Sequence, residues 1–350
     1  MKYLLVGGTF DREEGRTSGY LKKVHEYLSL LVDPMDITVY NGGNISTLHE
    51  LVEHAVELAS VVIWFPKLDN SESKLVGHVK KNNPTCMLVA SKFNDGKYED
   101  IDVVARALQV KANLIVEFSK PNSLFESKIL DPLGNIFYQG SDIAQLTIKM
   151  IKRVVELRNF TRIPSMRVQP YFEAANEPEF FDIATDYADV FHTLIHGVHP
   201  TRFMGNLSFR CTHGFPSFRA KNDRIYVSKR NIDKREINSS SFAPVELGGP
   251  ADRVSYYGND KPSVDTPIQT RLYKYYTNIN YMIHSHVYIK TDLYTERMIP
   301  CGAIEEFTDI IDVVPNRKVN KFFINLKGHG SIAFGRTVDD LRNIEYDGRF

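Results

Sequence analysis

Between residues 279 and 289 the chain is mostly apolar, and the middle of that run holds His284, Ser285 and His286. A short run rich in β-branched and aromatic residues reads as a buried β-strand. Side chains alternate faces along a strand, so positions two apart project together. Both imidazoles therefore leave the strand on one side. A second strand-like run, residues 322–326, leads directly into Gly328, His329 and Gly330. Three neutral imidazoles meeting at one point would hold a divalent cation and leave a coordination position open. The competing reading is that each histidine is an ordinary hydrogen-bonded core residue, and the wider pattern must decide between the two.

Composition bounds that pattern. A chain of 350 residues is long for one core, and two domains of ordinary size are expected. The 43 basic and 43 acidic residues cancel, which argues against a general nucleic-acid or membrane-surface binder. Cys86, Cys211 and Cys301 have no short spacing, so neither a disulfide framework nor a paired-cysteine metal site is expected. They read as small buried hydrophobes in a reducing compartment. The first residues enter a glycine pair too soon for a signal peptide, and no run approaches the ~20 apolar residues of a membrane span. A cytoplasmic protein without a membrane or nucleic-acid partner is the expectation.

The first half alternates strand-like and helical runs. Strands are expected at residues 3–6, 37–40, 60–65 and 85–90, and helices at 20–31, 48–58, 101–108 and 143–157. That rhythm predicts an α/β domain over residues 1–157, a doubly wound parallel sheet with helices on both faces. A linker is placed at 158–176, where Pro164 breaks the helical period, and a second domain at 177–350. Gly7-Gly8-Thr9 and Asn41-Gly42-Gly43-Asn44 follow the first two strands and read as turns at the sheet's carboxyl edge, where such folds bind ligands. No Gly-x-Gly-x-x-Gly or Walker pattern accompanies them, so no cofactor-binding residue is assigned. Asp11, Asp69 and Asn70 fall at strand ends and are turn residues or ribose contacts. This half loosely resembles Rossmann-like domains that handle nucleotides or nucleosides.

In the second half the histidines close an ordered series. Residues 181–196 read as a helix whose His192 and His196 stand four apart; Thr193 occupies the place where a zinc-protease helix needs glutamate, so the pair is read as structural. Gly205-Asn206-Leu207-Ser208-Phe209-Arg210 follows, then Ser228-Lys229-Arg230, then Pro262-Ser263-Val264-Asp265, then the two histidine motifs. This order resembles the class II aldolase/adducin family over roughly residues 177 to 345. The resemblance implies a class II aldolase-like α/β/α domain. It implies His284, His286 and His329 as metal ligands, with zinc the first choice and manganese, iron and cobalt compatible. Asp265 stands where the family usually has glutamate and takes the place of the catalytic acid and base; the residue is also well placed as a helix N-cap. Asn206, Ser228, Lys229 and Ser263 take the place of substrate-binding residues.

The departures from the family pattern have chemical content. Lys229 replaces a glycine and Val264 a second serine, which removes donors from a phosphate cradle. Lys229 and Arg230 either restore positive charge or form a solvated turn. Arg210 is structural or helps to hold an anion. Glu305 and Glu306 read as surface acids, and Tyr346 is a weak counterpart of the tyrosine that resembled aldolases borrow from a neighbouring subunit. What the resemblance implies is a metal-dependent lyase that cleaves or forms a carbon–carbon bond through a metal-stabilised enediolate. Its substrate would be a small, phosphorylated sugar or sugar derivative, and its assembly a homo-oligomer, a tetramer by resemblance. A sugar-phosphate dehydratase or epimerase is the alternative, as is a non-catalytic adducin-like binding module with a nucleotide-binding N-terminal domain.

Overall fold

The computed structural model describes residues 1–68, 72–120, 125–169, 176–192, 203–210 and 224–348. Asp69, Asn70, Cys211 and the His192/His196 pair lie outside the residues whose side chains are described. The chain divides into two compact units, Met1–Asn159 and Phe160–Phe350. No helix among the described residues is long and apolar enough to cross a membrane.

The first unit runs β1 (Tyr3–Asp11), α1 (Gly19–Leu28), β2 (Ile37–Asn44), α2 (Ile45–Glu53), β3 (Val61–Lys67), α3 (Leu75–Asn82), β4 (Met87–Asn94) and α4 (Asp100–Val110). It ends with β5 (Leu114–Ser119), β6 (Glu126–Leu130), β7 (Ile136–Gly140) and α5 (Ile143–Asn159). The sheet order is β2-β1-β3-β4-β5-β6-β7. The five strands from β2 to β5 are parallel, and β6 and β7 add an antiparallel edge. Leu4, Val6, Val62, Leu88 and Ile115 pack under α2, α3 and α4. Leu5, Ile63 and Val89, alternating with them, are equally buried. Continuous apolar strands such as these need helices on both faces. The unit is a doubly wound, Rossmann-like sheet. Its glycine segments are not free turns: Gly7 pairs with Asn41 and Phe10 with Gly43, across a register irregularity, so both strands run on through their glycines. Asn44 then caps α2 through a hydrogen bond from Ser46 N.

The second unit begins with β8 (Ser165–Gln169), inside the segment expected as linker. Met166 and Val168 stay half exposed there, which gave the strand no apolar signature. There follow α6 (Pro178–Asp186), α7 (Ala188–His192), β9 (Asn206–Arg210), β10 (Arg224–Ser228), β11 (Phe242–Glu246), β12 (Val254–Tyr257) and α8 (Thr266–Tyr275). The unit closes with β13 (Tyr281–Ser285), β14 (Tyr288–Ile289), α9 (Glu305–Val313), β15 (Lys321–Leu326), β16 (Gly330–Gly335) and β17 (Tyr346–Gly348). The main sheet has the order β15-β16-β13-β9-β10-β11-β12-β8, with β14 and β17 forming a separate ribbon. Among the described residues only the β12–β8 pair in this sheet is parallel.

Two cores cover its two faces, as strand alternation requires. Ile225, Val227 and Met282 pack with α8 and α9 through Ile268, Leu272 and Ile310. Tyr226 and Ile283, one residue along, join Phe209, Phe180 and Phe191 beneath α6 and α7. The run at 279–289 is therefore strand, but it breaks after Ser285, so His284 lies in β13 and His286 just beyond it.

Two glycines let neighbouring strands close on β13. A Cβ at Gly205 (φ +73°) would lie 2.5 Å from His284 O and from the Phe191 ring. At Gly330 (φ +123°) it would lie 2.0 Å from Ser285 O and 2.6 Å from His286 Cα. Both φ values disfavour any side chain, and at Gly330 the obstacle is backbone that cannot rotate aside. Gly330→Ala is expected to cost more than about 2 kcal/mol through overpacking and strain, read as a lower unfolding midpoint in denaturant. A midpoint equal to the parent's would show that the strands are less tightly apposed.

Candidate metal centre

Five pieces of chain supply the site. His284 sits on β13 opposite Asn206 of β9 and Ile332 of β16. His286 follows at the strand's end. His329 occupies the tight turn between β15 and β16, its N–H donating to Leu326 O at 2.9 Å. Asp265 heads α8, and the segment holding Cys301 and Gly302 runs into α9, whose first turn carries Glu306.

The three imidazoles converge. Their donor atoms all lie within 4.8 Å of one another, and the ring centroids are 4.8 to 5.0 Å apart. All three side chains are buried. His284 Nδ1 lies 2.9 Å from Ser331 O, and since a carbonyl only accepts, the ring proton resides on Nδ1. His284 Nε2 is left with a lone pair, fully buried and without a hydrogen-bond partner among the described residues. A buried polar atom in that condition costs roughly 1–3 kcal/mol unless something fills it. Burial, then the neighbouring His329, push the His284 pKa down to about 4, so the ring is neutral at physiological pH. The donor chemistry, an orphaned imidazole nitrogen facing two further imidazoles, fits a divalent cation.

His329 is oriented from behind. Its Nδ1 lies 2.6 Å from Glu306 Oε1, and its Nε2 lies 3.1 Å from Cys301 Sγ. Burial works to lower the His329 pKa, but the adjacent Cys301 and Glu306 outweigh it and raise the value. Glu306 is itself buried, which raises its pKa. This carboxylate is not the surface acid expected from the sequence. Its neighbour Glu305 is half-buried and accepts from Thr161 N at 2.9 Å.

Asp265 occupies the N-cap position of α8, yet its side chain makes no capping bond. It turns instead toward the histidines, with Oδ2 3.9 Å from His284 Nε2. Asn206 Nδ2 donates to Oδ2 at 2.8 Å and Gly302 N donates to Oδ1 at 2.8 Å. Gln269 Nε2 in turn donates to Asn206 Oδ1. The shorter carboxylate thus reaches the centre because the helix start is itself placed there.

A cleft of about 690 Å³ opens onto this group, lined by His286, Asp265, Cys301 and Ser263 together with Arg162, Lys229 and Arg230. The structure does not place Asn206 or Ser228 on its wall. Asn206 is buried behind Asp265, and the Ser228 hydroxyl accepts from Leu207 N at 3.0 Å beneath the surface. Lys229 is on the wall, with Nζ 3.1 Å from Asp260 Oδ2. Arg210 is structural: its guanidinium donates to the carbonyls of Ile279 and Tyr273. Tyr346 packs its ring on Tyr187 and does not line the cleft.

Sequence reading gave Cys301 and Glu306 no part in this centre and passed over Arg162 and Lys234. Lys234 is 1% exposed, and its ammonium donates to Met204 O at 2.9 Å, just ahead of Gly205. Burial brings its pKa down from 10.5 to about 7. Because the folded value is depressed, the parent's stability from this group is complete above pH 10.5 and is lost as pH falls toward about 7. Relative to the parent, Lys234→Met is expected to gain thermal stability as pH drops across that window, with no further change below it. A gap independent of pH would mean that the amine is hydrated.

Residues 186–344 match the family model described as the class II aldolase and adducin N-terminal domain. The comparison with curated proteins finds no match. Among solved structures, the DNA/pantothenate metabolism flavoprotein from Streptococcus pneumoniae is 14% identical, with 45% of this chain and 99% of that one covered, at a TM-score of 0.37. An L-fuculose 1-phosphate aldolase is 17% identical over 48% of this chain and 80% of its own, at a TM-score of 0.34. The L-fuculose-1-phosphate aldolase from Thermus thermophilus is 16% identical over 47% and 82%, at 0.31. Over residues 186–344 the second unit is therefore similar to the class II aldolase and adducin N-terminal domain, and its sheet carries helices on both faces.

Proposed function

We propose that the second unit is a divalent-metal-dependent lyase of the class II aldolase type, acting on a small phosphorylated sugar or sugar derivative. The observation that carries this reading is the convergence of His284, His286 and His329 around an orphaned, buried His284 Nε2, with a carboxylate 3.9 Å away. His284, His286 and His329 are the assigned ligands. Zinc suits three imidazoles with room for a substrate. When bound, the cation supplies Lewis-acid polarisation of a carbonyl.

The protein's own groups do the rest. Asp265 is the acid and base. It is held by Asn206 and Gly302 N, and it faces the cleft where a substrate's hydroxyl or carbon-bound proton would be presented. Glu306 fixes the His329 ring through Nδ1, and the Ser331 carbonyl fixes His284 in the same way. Lys229 and Ser263, assigned to the substrate's anionic end, lie on the cleft wall and convert binding into orientation. Asn206 and Ser228 act through the residues they hold, not by touching substrate. In this reading the assembly is a homo-oligomer and the location cytoplasmic.

Two substitutions separate metal binding from proton transfer. His286→Ala is expected to lose bound metal and turnover together. Asp265→Asn is expected to keep its metal, measured by elemental analysis, while kcat falls at least about 100-fold. Turnover by Asp265→Asn at the parent's rate would remove Asp265 from the chemistry. Parent protein that retains no divalent ion when purified without chelators would favour a binding module in place of an enzyme.

A panel of sugar phosphates and their unphosphorylated counterparts tests the anion contact. Lys229→Ala is expected to weaken the phosphorylated ligands by about 5- to 20-fold, as loss of a charge-assisted hydrogen bond does, and to leave the neutral ones unchanged. Equal loss for both sets would take Lys229 out of the substrate site.

A further inference from the structure

We propose that Cys301 is a fourth protein donor to the ion held by His284, His286 and His329, so that the resting centre carries a thiolate, which a bound substrate would displace. The inference rests on the metal-centre reading above and concerns a residue that the histidine pattern does not include.

Position comes first. His329 Nδ1 is engaged by Glu306, so Nε2 is the nitrogen that faces the centre, and Cys301 Sγ lies 3.1 Å from it. An imidazole nitrogen and a thiolate sulfur bound side by side to one ion at 2.0–2.3 Å lie roughly 3.1–3.6 Å apart. His329 belongs to two donor groups: with His284 and His286, and with Asp265 and Cys301, the atoms of each group lying within 4.8 Å of one another. The histidine that completes the imidazole set is thus the one that the thiol touches.

The segment holding the sulfur is fixed by the same network. Gly302 N donates to Asp265 Oδ1 at 2.8 Å, and Ala303 N donates to Pro300 O at 3.2 Å. Cys301 is also on the cleft wall, so the site can admit the ion and release the thiol proton to water. Charge points the same way. Three neutral imidazoles leave a dication uncompensated in a buried setting, and a thiolate donor beside the Asp265 carboxylate offsets it. A sulfur donor also sets the metal class, because thiolates favour zinc and cobalt over magnesium, calcium or manganese.

The same residues have a rival geometry. Cys301, His329 and Glu306 form a nucleophile, a base and an orienting carboxylate within hydrogen-bond reach. That arrangement makes no use of His284 Nε2, which is buried and has no hydrogen-bond partner among the described residues. A shared ion accounts for both observations.

Cobalt distinguishes the outcomes. The full-length protein, stripped by chelator and reloaded with Co²⁺, is expected to show visible d–d absorption together with near-ultraviolet thiolate-to-cobalt charge transfer. Cys301→Ser is expected to retain the visible bands, lose the charge-transfer band and bind Co²⁺ at least about tenfold more weakly. In the parent, cobalt is expected to slow alkylation of Cys301 by iodoacetamide at least about tenfold, followed by peptide mass spectrometry, so the result does not depend on the variant folding. Visible bands without charge transfer, charge transfer that survives in Cys301→Ser, or alkylation indifferent to cobalt would each overturn the assignment, the last in favour of a nucleophilic cysteine. Absence of any d–d absorption in the parent would overturn the metal centre itself, a failure distinct from the others.

Discussion

Where β16 leaves the β15–β16 turn, its backbone lies against the end of β13 so closely that no side chain fits at Gly330. Much follows from that contact. His329, the preceding residue, is brought beside His284 and His286 because the two chain segments share that closeness. Ser331, the following residue, presents its carbonyl to His284 Nδ1. One glycine thereby sets the spacing of the imidazoles, and its neighbour sets the tautomer of one of them. Gly205 does the corresponding service on the other side of β13, bringing β9 and Asn206 up to His284. Both effects are matters of packing, and their result is electrostatic: a lone pair aimed into a buried space.

Holding that lone pair in place takes a second layer of buried polar groups. Asp265, Asn206, Gln269 and Glu306 are all buried, and none is a proposed metal ligand. A core of this volume filled with aliphatic side chains would be easier to stabilise, since every buried polar atom must find a partner. Here the partners form chains: Gln269 to Asn206 to Asp265, and Glu306 to His329 to Cys301. Each link restricts the next, so Asp265 and His329 keep their orientation before any ligand arrives. Under the proposed function, the expense in desolvation makes sense, because such a site must position a proton donor and a cation to within a fraction of an ångström.

The parts of this arrangement that were legible in the sequence were those governed by local periodicity. Residues two apart on a strand share a face, so His284 and His286 could be paired on paper, and the continuous apolar strands of the first unit announced a sheet covered on both sides. The order of motifs was enough to bring His329 and Asp265 into the same neighbourhood. Less was legible where no period exists. Strand β8 has half-exposed apolar residues and sits at a sheet edge, so it resembled a linker. The antiparallel pair β6 and β7 lay beyond the alternation that predicted a parallel sheet. Cys301 and Glu306 come from a loop and a helix start whose distance from His329 is decided by the tertiary fold, and isolated acids and thiols carry no local signal. Asn206 and Ser228 were placed in the right neighbourhood, but whether a polar strand residue faces the cleft or the layer beneath it depends on register, which a one-residue shift reverses.

The cleft also divides by charge and depth. His286 and Asp265 are nearly inaccessible, whereas Arg162 and Arg230 on the same wall are exposed and Lys229 lies between them in burial. A ligand with an anionic end and a polyhydroxyl end meets this gradient in only one sense. Its anion gains most near the basic residues, where hydration still softens the interaction, and its hydroxyls gain most at depth, where the acceptors and any cation are desolvated. Asp260, paired with Lys229, offsets part of the positive charge there. In the proposed reading, burial orders the chemistry along the cleft: orientation at the mouth, and proton transfer and polarisation at the floor, where a low dielectric makes small charge displacements count for most.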